Sequence, residues 1–124
     1  MNLNHDKRNR FSNLSNQFPM LEFDNTGALA DEDTYWKPNN RETIHELRNR
    51  VISFFNWLAT KKADYKNIVV VTHGVWMETC FYLYCPHVLE HSDGSIRRVH
   101  NGDVFYATLK SDSGQLTNAH LLNI

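Results

Sequence analysis

Ile68-Val69-Val70-Val71-Thr72-His73-Gly74-Val75 is the stretch on which the reading of this chain turns. Four β-branched apolar residues in succession favour a strand over a helix. A run that is apolar on both faces is the pattern of a buried, parallel strand. The strand is therefore expected over 68–72, ending in a Thr-His-Gly corner. Behind it, residues 75–84 (VWMETCFYLY) are apolar nearly all round, which predicts an interior helix stopped by Pro86. The end of a strand, where the next helix begins, is where open α/β sheets bind ligands. His73 would stand there as a titratable donor, and Gly74 would let the backbone come close to a ligand. The free N–H groups of the first helical turn, from Val75 onward, would point at an anion. A histidine packed and hydrogen-bonded at a strand end fits the same eight residues, and the local pattern does not choose between the two.

Working upstream, Ile44, Leu47, Val51, Phe54, Phe55 and Leu58 recur at helical spacing, with Arg48, Arg50, Asn56, Lys61 and Lys62 largely off that face. Asn39, three residues before Glu42, suggests a capping pair at the helix start. Basic residues near the end suit the helix dipole. Residues 22–40 carry the acidic cluster, Gly27, Pro38 and no sustained period, and read as a long loop. Before it, Phe11, Leu14, Phe18 and Leu21 keep helical spacing, and Pro19 marks the helix end. Downstream, 87–102 reads as a loop. The runs 104–109 and 116–122, separated by Lys-Ser-Asp-Ser-Gly, predict an antiparallel hairpin at a sheet edge. The order is α/β, one domain over 1–124, but the central strand has few partners.

Composition narrows the classes. The chain has 124 residues, 13 basic against 14 acidic, with net charge −1. That balance gives no electrostatic footprint for nucleic acid or an anionic membrane. No apolar run approaches membrane-spanning length, and the polar start lacks the apolar core of a signal peptide. Cys80 and Cys85 read as reduced thiols rather than a disulfide framework, so a cytoplasmic setting is expected.

At this point the sequence resembles a known family. VVVTHG, the block HDKRNRFSNLSNQFPMLEF (5–23), the segment WKPNNRET (36–43) and the helix ending FFNWL (54–58) are together similar to the histidine phosphatase superfamily, the phosphoglycerate-mutase-like proteins. The resemblance implies an incomplete three-layer α/β/α phosphoglycerate-mutase-like fold missing its first strand, with this chain as the C-terminal portion of one such domain. It implies phosphomonoester hydrolysis in the parent family, a small phosphorylated substrate or phosphate as partner, and no cofactor. His73 matches the second histidine, which helps hold the transferring phosphoryl group. Gly74 and Val75 then offer backbone N–H groups to its oxygens, and stabilisation of that charge needs no metal. Arg8, within the basic block Lys7, Arg8 and Arg10, sits where relatives keep basic residues near the substrate entrance. A charge run alone reads as a solvated face.

The family's phosphorylated histidine belongs to an Arg-His-Gly motif, and this sequence contains none. Val99-His100-Asn101 and Ala119-His120-Leu121 lack the pattern, and Asp6 follows His5. Glu22 lies downstream of where the family keeps its acid, and Glu42 and Arg50 read as structural. The expectation is a truncated phosphohydrolase, inactive as this isolated chain. The rival is a non-catalytic pseudo-phosphatase remnant that binds an anion or a protein partner, with self-association through an exposed sheet edge. A zinc site drawn from Cys80, Cys85, His87 and His91 lacks paired ligand modules, and no bound metal is expected. No Gly-x-Ser-x-Gly elbow is present. The aromatic set Trp57, Trp76, Phe81, Tyr82 and Tyr84 reads as core rather than as a stacking platform.

Overall fold

The long amphipathic run behind Thr43 folds as α2, Ile44–Lys61, and it buries the stripe the sequence marks: Leu47, Val51, Phe55 and Leu58. These positions lie four, four and three residues apart, so they stack on one helical face. The computed structural model describes residues 8, 10–22, 40–61 and 65–122. They fall into two compact units, Met1–Thr43 and Ile44–Ile124.

In the first unit, α1 spans Phe11–Gln17. It ends where Pro19 requires, at the C-cap Phe18, whose N–H donates to the Leu14 carbonyl at 2.9 Å. Lys7 and most of the long loop, 23–39, lie outside the described residues, as does Asn39 of the expected capping pair. Glu42 precedes the first helical residue, Ile44, so α2 starts later than that pair implies.

In the second unit, α3 covers Gly74–Tyr84 and ends at Cys85, ahead of a 3-10 turn over Pro86–Leu89. Strands β1 (Phe105–Leu109) and β2 (Leu116–Leu121) pair antiparallel, as the turn chemistry predicts. Their register shifts by one residue between Tyr106 and Thr108. Asn118 stands opposite that shift with φ 54°, as an extra residue in a β-bulge does. At the hairpin turn Gly114 has φ 69°, and a Cβ there would meet Asn56 Oδ1 of α2 at 2.6 Å. The hairpin thus sits directly on α2, and Cys85 Sγ donates to the Leu116 carbonyl at 3.3 Å.

The core joins these elements. Trp76, Cys80 and Phe81 of α3 pack with the α2 stripe, Leu89, Leu116 and Ala119. Phe54 and Phe55 meet the Trp76 ring at 5.3 and 5.7 Å between centroids, Phe55 meets Tyr84 at 5.6 Å, and Phe81 meets Phe105 at 4.6 Å. Such pairs contribute about 1 kcal/mol each beyond their buried area. Three residues of α2 and α3 depart from expectation: Ile44, Val75 and Tyr82 are exposed.

The larger correction concerns 68–72. The segment pairs with no strand among the described residues, and it is not buried. Val69 and Val71 are 88% and 92% exposed, while Ile68 and Val70 are less so. That alternation is strand geometry without a sheet. A strand becomes buried through neighbours on both edges, and β1 and β2 pair with each other rather than with it. The fold class remains α/β.

Candidate functional site

His73 is the N-cap of α3, with extended backbone at φ −99° and ψ 154°. Its carbonyl accepts from the Met77 N–H at 3.0 Å, which starts the helix. The imidazole makes no capping hydrogen bond and is exposed. The packed strand-end histidine that the sequence allowed is therefore not what the structure has. Gly74 and Val75 follow as the first helical residues, so their N–H groups are among the donors a helix N-terminus leaves unpaired. They carry the positive end of the helix dipole.

Gly74 has a second role. A Cβ at this position would lie 3.1 Å from the Val99 carbonyl oxygen. The close approach is therefore made by the chain itself, where the segment 97–100 crosses the start of α3. Glu78, one turn into the helix, holds that segment: its Oε1 accepts from the Val99 N–H and from Arg98 Nε, each at 2.9 Å. Burial alone would raise the Glu78 carboxyl. The Val99 N–H, the Arg98 guanidinium and the nearby His100 outweigh it and hold the carboxyl below the usual glutamate range. His100 is further fixed by its own N–H donating to Asp103 Oδ2 at 2.8 Å. Sequence reasoning missed Glu78. The available signal was an acid standing alone in an otherwise apolar helix.

The structure thus brings His73, Gly74 and Val75 together at one helix start, with Glu78, Val99 and His100 beside them. Arg8 is half-buried and belongs to the unit Met1–Thr43, as do Arg10 and Glu22. Among the described residues, no group of three or more His, Cys, Asp or Glu stands where it could hold a metal ion. Cys80 and Cys85 are buried free thiols, and burial, with Cys85 adding to it, pushes the Cys80 thiol up to about 12. Among the described residues no helix is long and apolar enough to cross a membrane.

Comparison with known proteins covers both the corner and the elements around it. The family model for the histidine phosphatase superfamily (branch 1) matches residues 18–120, most of the chain. The chain belongs to the histidine phosphatase superfamily. This superfamily member is 40% identical to "Phosphoglycerate mutase-like protein 2" of Arabidopsis thaliana over 69 residues, 56% of this chain and 19% of that relative. It is 41% identical to "Phosphoglycerate mutase-like protein 1" of the same plant over 69 residues, 23% of that relative. The match therefore spans about a fifth of the length of these curated relatives. No solved structure matches the chain.

Proposed function

We infer that the His73 corner is a phosphate-handling site, of the kind used in phosphomonoester hydrolysis, acting on a small phosphorylated substrate. The observation that carries this reading is the exposed imidazole of His73, free of any capping hydrogen bond, on the residue directly before Gly74 and Val75, whose N–H groups open the helix. An imidazole and converging backbone donors can stabilise charge on phosphoryl oxygens, which is the main demand of phosphoryl transfer. Arg8 stays the substrate contact that the family resemblance implies.

Transfer also needs a nucleophile or an aligned water. The sequence contains no Arg-His-Gly, so the phosphorylated histidine of the family has no counterpart here. The chain by itself is therefore proposed to bind phosphate without turning over a phosphomonoester. Titration with inorganic phosphate, followed by 31P NMR line broadening, tests binding. The wild type should bind, and His73→Ala should weaken binding about tenfold, as loss of a charge-assisted hydrogen bond does. Equal binding by both proteins would remove His73 from the site. Turnover of p-nitrophenyl phosphate that His73→Ala abolishes would overturn the claim of inactivity.

One observation favours a second reading, a non-catalytic module that binds a protein. Segment 68–72 pairs with no strand among the described residues and carries two nearly naked valines, which makes it a template for strand pairing. Self-association through this edge is the form proposed for it.

A further inference from the structure

A groove of about 410 Å³ lies along the face of α3 that carries Val75 and Tyr82. Its other walls are α2, through Ile44 and Arg48, and the segment 96–98. Four apolar side chains that line it, Ile44, Val75, Tyr82 and Ile96, are each more than half exposed. Such a concentration of exposed apolar surface in one concavity marks a binding surface rather than scattered surface residues.

The charges around the groove do not cancel. Arg98 is paired with Glu78. Arg48 lies over the Tyr82 ring, its guanidinium carbon 5.4 Å from the ring centre, and Arg97 lies on the opposite wall. Among the described residues neither Arg48 nor Arg97 has a carboxylate partner. The Nε of each is buried without a hydrogen bond, and both side chains line the groove. Two half-buried cations at an apolar surface attract a carboxylate strongly, because the local dielectric is low and Arg pairs with carboxylates in two-pronged fashion.

We propose that this groove docks a short peptide segment of a partner protein in which a glutamate or aspartate sits beside a bulky apolar residue. A bare anion would leave the four apolar side chains uncovered. A polyanion such as nucleic acid finds no wider basic field on a chain of net charge −1. An acidic–apolar peptide satisfies the arginines and covers the apolar wall together.

The test is calorimetric titration of the full chain with acetyl-Leu-Glu-Phe-Glu-Leu-amide and with its glutamine counterpart. The glutamate peptide should bind about tenfold tighter, and its affinity should fall as salt is raised. Arg97→Gln should erase the difference between the two peptides. Ile96→Glu, a change at an exposed position that leaves the core untouched, should weaken the glutamate peptide more than the glutamine one. Amide shifts in the NMR spectrum should cluster at Val75, Tyr82 and Ile96. Equal affinity for the two peptides overturns the proposal, as does a glutamate preference that survives both substitutions. Full displacement of the peptide by inorganic phosphate at equal concentration would show a bare anion site and overturn it likewise.

Discussion

A methyl group added at Gly74 would meet the Val99 carbonyl oxygen at 3.1 Å, and Glu78 leaves Val99 little room to move. Gly74→Ala should therefore lower stability by about 1 kcal/mol in a urea titration, the crowding outweighing alanine's better helix propensity. Gly114→Ala should cost more, about 2 kcal/mol, because φ there is 69° and Asn56 is closer still. Glu78 adds a pH signature. Its carboxyl titrates lower in the folded chain than the ordinary value of 4.5. Its contribution is thus complete above that value and is lost as pH falls from there through the lowered folded value. Glu78→Gln should flatten the fall in stability across that acid window, measured by melting temperature against pH. None of this could be read locally, since Arg98 and Val99 lie 20 and 21 residues beyond Glu78. The position of His73 at the start of α3, by contrast, is legible because the β-branched run, the corner and the helix are contiguous.

At the scale of elements, α2, α3 and the hairpin follow from period and turn chemistry. Val51 is the one side chain of the α2 stripe with no exposure among the described residues, so Val51→Ala should cost about 2 kcal/mol through the cavity it leaves. The segment 68–72 shows where local reading stops. Its β-branched run favours an extended backbone, but burial depends on strands elsewhere, and composition cannot supply them. If its edge mediates the self-association proposed above, Val69→Lys with Val71→Lys should shift sedimentation to the monomer. Because both side chains are already solvated, stability should change by no more than about 0.5 kcal/mol.

At the scale of the molecule, every buried apolar side chain among the described residues lies between Leu47 and Ala119. The unit Ile44–Ile124 therefore holds its own core. Expressed as residues 44–124, it should melt cooperatively by circular dichroism, and non-cooperative melting would show that the core needs the first unit. The same core contains a built-in chronometer. Cys80 and Cys85 are sealed within it, and burial holds the Cys80 thiol protonated well above the ordinary cysteine range. Neither sulfur can meet a thiol-specific dye while the core is shut. Labelling can then proceed only through openings that expose α3, so the reaction rate counts how often those openings occur. Two ordinary cysteines thereby make the breathing of this fold measurable without any added probe.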